Sequence, residues 1–397
     1  MRAPFLAFVF LIFTATICEA QQFQTGQQVR LVEREINIPV HPAPGNSTVP
    51  FRFVSGTLAT VLSIDGVTGW VELRGKALNI TEPKTGWVTP GFIAAVQPAI
   101  APVTEPGTTG WCPAKGTSAP HPSGRLRIAT WNLENLHSKD GQSIFEGTDP
   151  SVKRFPADYD RMKCYIRLFD PDILAVQEVD GSEALSRVVD SDVYTVHVSS
   201  RPQGAGLNGK QNTGFAYKKG LSVQQQPDFK ELDVSGGSLR YGTRIDLNHN
   251  GKTIQLMSVH LKSGCFENSI TSSACTKLME QVPILENWMD TAANGPVPFI
   301  VLGDFNRRFN LPGDTVWVEL DDANPPNADL ETITKDMPVS CRDNQFTSFI
   351  DHIVFDKRAW AWADRSSFRQ ITYRQEDKEK WDKLSDHCPV MVELWVK

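Results

Sequence analysis

The sequence lacks a general excess of positive charge. Its 397 residues include 40 Lys and Arg against 46 Asp and Glu, which gives a formal net charge of −6 at pH 7. This balance counts against a basic coat protein that binds nucleic acid over its whole surface. Binding of a polyanion would need a local basic patch or a bridging cation.

Long hydrophobic runs are also missing from most of the chain. The run from Phe5 to Ile17 is too short for a stable membrane anchor, and no later run reaches spanning length. Arg2 precedes this run and Ala20 closes an A-x-A-like cleavage site, a pattern that predicts a signal peptide over residues 1–20. We therefore expect an exported protein, secreted or periplasmic, without a transmembrane anchor.

The cysteines lack the C-x-x-C spacing and the clustered histidines that would favour a zinc site. Loss of Cys18 with the signal peptide would leave six of the seven cysteines. An even number in an oxidising compartment predicts disulfides, although six cysteines allow fifteen pairings. Cys265 and Cys275 bracket a Ser/Thr/Asn-rich loop and form the first predicted pair. Cys388 lies in an apolar run and is equally consistent with a free core thiol.

Residues 23–98 have the pattern of short strands separated by Gly, Pro and Asn turns, which predicts a small all-β barrel. This region has no clustered acids or histidines, so we expect a binding or spacing role from it. Trp70 and Trp87 lie in two near-identical Thr-Gly-Trp-Val tetrads and are predicted to be core residues. The second tetrad, followed by Gly91-Phe92-Ile93, resembles the closing strands of bacterial Src-homology-3-like domains. That resemblance implies a tether to cell wall or to another polymer.

Residues 99–124 are rich in Pro, Gly, Ser and Thr, a composition that predicts a linker. Residues 125–397 alternate between helical and strand patterns, and several strands follow one another through short links. This arrangement favours an α/β domain with two mixed sheets over a doubly wound parallel sheet. Helical spacing covers about residues 159–169 and 276–291.

Polar side chains follow apolar strands of this domain at six places. The run from Phe299 to Leu302 predicts a buried strand, and Gly303 then lets the backbone turn before Asp304 and Asn306. One acid at a strand end is usually a turn former, whereas six polar strand ends predict a shared site. The candidate residues are Asn132, Glu178, His260, Asp304, Asn306, Asp351, Asp386 and His387.

Six motifs in this order resemble the endonuclease/exonuclease/phosphatase superfamily. They are Thr130-Trp131-Asn132, Gln177-Glu178, Val259-His260, Gly303-Asp304-Phe305-Asn306, Ile350-Asp351-His352-Ile353 and Ser385-Asp386-His387. The superfamily includes pancreatic deoxyribonuclease, abasic-site endonucleases, secreted sphingomyelinases and inositol-polyphosphate phosphatases. The resemblance covers about residues 126–397 and implies a four-layer αββα sandwich with the active site at one edge.

The resemblance also implies a divalent cation. Glu178 resembles the main carboxylate ligand, with Asn132 beside it and Asp386 sharing the metal. Oxygen ligands without thiolates suit Mg²⁺, with Mn²⁺ or Ca²⁺ as alternatives.

Catalytic roles are implied in the same way. We expect Asp304 to position or deprotonate the attacking water, and Asn306 to donate to the phosphate oxygen that gains charge. We expect His387 to stabilise the transition state, with Asp351 fixing its tautomer. His260 resembles the general acid, since a histidine pKa near 6.5 suits proton transfer.

Three further residues are predicted to bind substrate: Arg240, Asn212 and Arg307. Pancreatic deoxyribonuclease has a glutamate near Asn212 that supports the general-acid histidine, whereas this sequence has Gln211 and Asn212 there. His352 alternates with Asp351 along a strand, and we predict that it is structural.

We expect a metal-dependent nuclease that cuts DNA or RNA by in-line attack of water. Basic residues beside the site, Arg307 and Arg308 among them, favour a nucleic-acid backbone as substrate. The alternative is a sphingomyelinase-like or other phospholipid or sugar-phosphate phosphoesterase. Its one candidate membrane loop contains Trp360 and Trp362, which we predict to pack against a sheet instead. A binding protein with a decayed site is disfavoured by the intact polar strand ends.

Overall fold

A computed structural model of the chain describes residues 28–31, 37–44, 51–54, 58–65, 70–75, 83–88, 93–95, 111–116, 124–144, 152–202, 211–266, 268, 271–341 and 348–397. The chain divides into two compact units, Met1–Val96 and Gln97–Lys397. The predicted signal peptide lies outside the described residues. Among the helices that are described, none has the length and hydropathy needed to cross a bilayer.

The described part of the first unit consists of β-strands. They are β1 (Gln28–Leu31), β2 (Asn37–Val40), β3 (Phe51–Val54), β4 (Leu58–Ile64), β5 (Val71–Gly75), β6 (Lys84–Val88) and β7 (Ile93–Ala95). One antiparallel sheet has the order β6-β5-β4-β1-β7, and β2 pairs with β3. These small antiparallel sheets agree with the predicted all-β class. The likeness to Src-homology-3 domains and the polymer tether stay predictions.

Aliphatic side chains fill the interior of this unit. Val61, Val71 and Val88 are fully buried, whereas Trp70 and Trp87 stay partly exposed. Successive side chains in an extended chain point to opposite faces, so the inward-facing valines turn the neighbouring tryptophans away from the interior. This arrangement corrects the prediction that the two tryptophans form the core.

The second unit contains the two mixed six-stranded sheets that the sequence predicts. The first sheet has the order β10-β11-β9-β8-β19-β18 and the second the order β12-β13-β14-β15-β17-β16. The strands of the first sheet are β8 (Leu126–Leu136), β9 (Ile173–Val179), β10 (Tyr194–Val198), β11 (Asn212–Lys218), β18 (Ala363–Gln370) and β19 (Val390–Leu394). Those of the second are β12 (Ser222–Phe229), β13 (Gly242–His249), β14 (Lys252–His260), β15 (Phe299–Asp304), β16 (Leu330–Thr332) and β17 (Asp351–Asp356).

Six α-helices are described with these sheets. They are α1 (Pro156–Phe169), α2 (Ser182–Val188), α3 (Ser273–Asn294), α4 (Thr315–Leu320), α5 (Lys357–Trp360) and α6 (Trp381–Leu384). Pro156 starts α1 because its missing N–H needs no partner at a first helical position. Ser272 starts α3, where its side chain accepts the N–H of Cys275 at 3.1 Å.

Apolar packing produces four layers. One buried cluster joins Ile128 and Phe215 of the first sheet to Ile245 and Ile300 of the second, so the sheets pack face to face. A second cluster joins α1 and α2 to the outer face of the first sheet. A third joins α3 and α4 to the outer face of the second sheet. The predicted αββα sandwich is confirmed.

Three disulfides connect the six described cysteines. Cys265 pairs with Cys275, as predicted, and Cys388 pairs with Cys341 instead of being a free thiol. The third bond joins Cys112, in the predicted linker, to Cys164 of α1. It fixes residues 111–116 to the helix. The ring of Trp111 also packs on the ring of Tyr165 with centroids 5.1 Å apart.

Gly303 allows the central strands of the second sheet to approach closely. Its φ is +148°, and an added Cβ would lie 2.0 Å from the carbonyl oxygen of Val259. Only glycine therefore fits at position 303, where β14 and β15 run parallel. The close approach holds the ends of the two strands together.

Candidate active site

Three polar residues lie side by side at one edge of the second sheet. The pairing of β14 with β15 sets His260 beside Asp304, and the pairing of β15 with β17 sets Asp304 beside Asp351. His260 Nε2 lies 3.6 Å from Asp304 Oδ2. All three side chains are buried. The register of the strands is therefore sufficient to assemble this row.

His387 joins the row from the loop before β19. Its Nδ1 donates to Asp351 Oδ2 at 2.8 Å, and its Nε2 lies 3.8 Å from Asp304 Oδ2. Ser385 fixes this loop to the first sheet, because its hydroxyl donates to the carbonyl oxygen of Asn132 at 2.6 Å. Asp304 consequently lies between two imidazole rings, with the Nε2 of each ring near the same carboxylate oxygen.

Asn132 links the row to the first sheet. Its Nδ2 donates to Asp304 Oδ2 at 3.0 Å and to Glu178 Oε1 at 3.2 Å, while its Oδ1 accepts the N–H of Glu134. Glu178 Oε1 also lies 3.7 Å from His260 Nε2. The ends of β8 and β9 on one sheet and of β14 and β15 on the other thus converge on one cluster.

Four residues of the cluster or its rim have left-handed backbones. Glu134, Asn135, Glu178 and Asn306 have φ values of 43°, 52°, 58° and 52°. Such backbones cost L-residues on the order of 1 kcal/mol each, and they persist where the surroundings impose them. Asn306 illustrates this, since its N–H donates to Asp304 Oδ1 and its Nδ2 to the carbonyl of Leu261.

Three acids of the site have raised pKa values. Burial is the largest cause for each; it raises the pKa of Glu134 to about 8 and that of Asp304 to about 7. The pKa of Glu178 is also raised, by burial and then by the charge of Asp386. Asp386 repels Glu134 in the same way, and its N–H donates to Glu134 Oε2 at 2.9 Å. These acids are held together against their mutual repulsion.

The two histidines differ in charge. Burial tends to lower the pKa of His387, but the charge and hydrogen bond of Asp351 outweigh burial and raise that pKa well above 6.5. Burial lowers the pKa of His260 well below 6.5, and the positive charges of Arg240 and His387 lower it further. His260 Nδ1 is buried and has no hydrogen-bond partner among the described residues. The expected pKa near 6.5 is therefore corrected for His260.

Pancreatic deoxyribonuclease has a glutamate near the position of Gln211, but Gln211 makes no hydrogen bond to the His260 ring. Gln211 Nε2 donates instead to Asn135 Oδ1 at 2.7 Å. Asn212 is buried, and its amide contacts Arg201 Nε and the carbonyl of Asp180. The side chain of Asn212 is thus engaged inside the protein in this structure.

The two predicted substrate arginines are also engaged internally. Arg240 donates through Nε to the carbonyl of His260 at 3.1 Å and through Nη2 to that of Leu261 at 2.5 Å. Its charge still acts on Glu178. Arg307 is fully buried and pairs with Asp314 at 2.6 Å. A substrate cannot reach the Arg307 guanidinium in this arrangement, so its predicted substrate contact is corrected to a structural one.

His352 lies on the opposite face of β17 from the site. Its Nε2 is 2.8 Å from the carbonyl oxygen of Arg307, and its ring stacks on Phe309 at 4.0 Å. Burial lowers its pKa to about 3. These contacts agree with the structural role predicted from its alternation with Asp351.

A family model described as the Endonuclease/Exonuclease/phosphatase family matches residues 129–387, which is more than half of the chain. The chain belongs to the endonuclease/exonuclease/phosphatase family. A search of curated proteins gave no match.

Part of the chain is also similar to several solved structures. Humanized D. rerio TDP2 carrying 14 mutations is 17% identical, with a TM-score of 0.46, over 68% of this chain and 99% of that one. The human Nocturnin catalytic domain with bound sulfate is 16% identical, with a TM-score of 0.44, over 68% and 93%. A Bacteroides thetaiotaomicron VPI-5482 mannosyl-6-phosphatase is 17% identical, with a TM-score of 0.44, over 68% and 99%. Members of the family are phosphoric ester hydrolases, usually metal-dependent.

The donor set of the site fits the divalent cation that the endonuclease/exonuclease/phosphatase family implies. Glu134, Glu178 and Asp386 are oxygen donors whose charges repel one another, and a cation would relieve that repulsion. Asp304, Asp351 and His387 form a second group whose ligand atoms all lie within 4.8 Å of one another. Bound at either group, a divalent ion would polarise a phosphate oxygen.

Glu134 is a site residue to which the sequence analysis gave no role. It stands two residues after Asn132, the same spacing that separates Asp304 from Asn306. That spacing could have identified Glu134 as a site residue, because each pair stands at the end of an apolar run. The left-handed backbone at Glu134 could not be predicted, since glycine is the usual residue in that conformation.

Proposed function

We propose that this member of the family is a divalent-metal-dependent nuclease that hydrolyses phosphodiester bonds of DNA or RNA by in-line attack of water. The observation that carries the proposal is the placement of Asp304 between two histidines of different charge. A buried carboxylate whose pKa is about 7 can accept a proton near neutral pH. Beside it, the His387–Asp351 pair provides a fixed positive charge for the phosphate.

The proposed reaction assigns each residue one task. Water attacks phosphorus and gives its proton to Asp304, while the bond to the leaving oxygen breaks and that oxygen takes a proton from protonated His387. His387 and Asn306 donate to the oxygens that gain charge. His260, neutral in the resting chain, lies beside Asp304 with its Nε2 3.6 Å from Oδ2, from where its N–H can donate to the substrate. Glu178, Asn132 and Asp386 are proposed to hold Mg²⁺, or Mn²⁺ or Ca²⁺ in its place, together with Glu134.

The surroundings of the site support a nucleic-acid substrate. Lys262 follows His260 by two residues, and Arg308 follows Asn306 by two. The Arg308 guanidinium lies 6.0 Å from the ring centroid of Phe266, which is exposed. Cations and aromatics beside a phosphoesterase site suit a sugar–phosphate backbone and its bases.

The lipid alternative loses its main sequence support. Trp360 packs on Phe355 of β17 with ring centroids 5.4 Å apart, and Trp362 packs against the core between the sheets. Helix α5 also follows the end of β17 opposite Asp351, about 17–20 Å from the site along a six-residue strand. A membrane loop at these tryptophans would therefore be remote from the reacting groups.

We further propose that the protein is exported and that its first unit tethers it to a polymer. Three disulfides support an oxidising compartment. The tether rests on the resemblance to Src-homology-3-like domains alone. Binding of residues 21–97 to isolated cell wall, compared with binding of the second unit, tests this role.

The decisive experiment compares substrates and variants. The protein from Gln21 onward is incubated with supercoiled plasmid, single-stranded RNA and sphingomyelin, with Mg²⁺ or with EDTA. We expect Mg²⁺-dependent nicking or RNA cleavage that His260→Ala and His387→Ala both lose. Cleavage that survives both substitutions would contradict the site, and release of phosphocholine alone would replace the nuclease with a lipid phosphoesterase.

A further inference from the structure

Arg154 is a fully buried cation that the proposed reaction does not use. Its side chain is 1% exposed and lies just before α1, far from every motif in the sequence. Burial lowers the pKa of its guanidinium, and the charge of Glu134 is the largest influence in the opposite direction. A buried arginine must be paired and hydrogen-bonded to be tolerated, so its partners indicate its role.

The guanidinium of Arg154 makes four hydrogen bonds, all to backbone carbonyls. Nη1 donates to Glu134 at 2.8 Å and Nη2 to Leu133 at 3.1 Å, both in the last four residues of β8. Nε donates to Lys383 at 2.9 Å and Nη2 to Leu384 at 2.9 Å, both in the segment before the His387 loop. One planar side chain thus joins two segments that are about 250 residues apart in the sequence.

These two segments carry the proposed cation ligands. The first contains Glu134, whose left-handed φ of 43° needs external support. The second leads into Asp386, whose N–H donates to the Glu134 carboxylate at 2.9 Å. The four bonds of Arg154 add to the Ser385–Asn132 bond in holding the two carboxylates together against their repulsion.

We propose that Arg154 is a positioning residue that forms the cation site. It does so by fixing the end of β8, which carries Glu134, against the loop that carries Asp386. The guanidinium suits this task because its donors lie in one rigid fork that can reach carbonyls on two sides. Lysine would keep the charge but offers a single ammonium at the end of a flexible stem, which cannot span both segments. The inference rests on the proposed function, since it concerns the cation of that site.

The test measures Mn²⁺ binding by calorimetry in the full chain, separately from turnover. Arg154→Met should weaken Mn²⁺ binding by about ten-fold or more, in the range found for residues that orient metal ligands. Arg154→Lys should recover little of this loss. Turnover of Arg154→Lys should rise again at high Mn²⁺, because the reacting row on the second sheet is intact.

Arg127→Met is the matched control. Arg127 is also buried and donates to the carbonyl of Phe169 and to Glu393, but at the start of β8, the end away from Glu134. The Arg127→Met variant should lose thermal stability and keep the Mn²⁺ affinity of the parent chain. Parental affinity in folded Arg154→Met, or in folded Arg154→Lys if the methionine variant does not fold, would overturn the inference. Absence of Mn²⁺ binding by the parent chain would overturn the cation site itself.

Discussion

The two halves of the active site are built in different ways. On the second sheet, His260, Asp304 and Asp351 are neighbours because their strands pair in one register. On the first sheet, Glu134 and Glu178 have left-handed backbones near the ends of β8 and β9, and Asp386 lies in the loop before β19. The comparison shows that regular pairing supplies the reacting row, whereas irregular strand ends and a loop supply the acidic cluster.

The halves also differ in what a single substitution can damage. A change in the row alters a reacting group directly, while the strands around it remain paired. A change in the acidic cluster relieves backbone strain and carboxylate repulsion together, so it alters several cation ligands at once. Four substitutions test the reacting row, the loop and strands that hold it, and an acid outside the site.

The largest effect should come from the reacting row. Asp304→Asn removes the proposed proton acceptor and should lower kcat about 10³-fold, within the range for a general base. The measurement is cleavage of a chromogenic phosphodiester at saturating Mg²⁺. Asp364→Asn, a partly exposed acid at the start of β18, should leave kcat unchanged. A loss smaller than ten-fold in Asp304→Asn would remove Asp304 from this role.

Arg307→Met tests the loop that carries Asn306. Removal of one partner of a buried ion pair costs about 3–5 kcal/mol, because Asp314 would be left as an unpaired buried charge. Urea unfolding should show this loss, while the salt dependence of KM for nucleic acid should not change. A shallower salt dependence would restore Arg307 as a phosphate contact, and Arg308→Ala provides the comparison that should show one.

Gly303→Ala tests the strand register. The new Cβ would meet the Val259 carbonyl at 2.0 Å, so β14 and β15 must separate, at a cost of about 3 kcal/mol. Gly251→Ala is the control, since Gly251 has φ +73° and open space around it. It should cost about 1 kcal/mol, from the left-handed backbone alone. Equal losses in the two variants would mean that the sheet accommodates the side chain.

The smallest effect concerns acids outside the site. Burial, followed by the charges of Glu319, Asp322 and Asp290, raises the pKa of Glu286 to about 7. A raised carboxyl pKa contributes stability that is fully present below pH 4.5 and is lost as pH rises through about 7. Glu286→Gln should therefore flatten the decline in unfolding free energy between pH 5 and pH 8. An unchanged pH profile would show that Glu286 titrates normally.

Much of the row could be predicted from the sequence, because His260 and Asp304 end apolar strands and Asp351 begins one. The run before Asp304 is the clearest case, and the alternation of Asp351 with His352 separated the site from the core. The resemblance of the ordered motifs to the superfamily then implied the αββα sandwich. Hydrophobic patterning by itself located the strand ends and indicated two mixed sheets.

The rest depends on contacts between segments distant in the sequence. The sequence does not distinguish a solvated arginine from a buried one, so the pairing of Arg307 with Asp314 could not be predicted. The same holds for Arg154, whose partners come from two segments of the chain. The lowered pKa of His260 was missed because burial and neighbouring charges depend on the folded arrangement.

The contacts of Arg154 also impose an order on biosynthesis. The carbonyls that it joins belong to the early strand β8 and to residues 383–384, which are synthesised some 250 positions later. A nascent chain can therefore pair most of its strands and bury most of its apolar surface while the acidic cluster is still open. The acidic cluster can close only once residues 383–386 have been added to the chain.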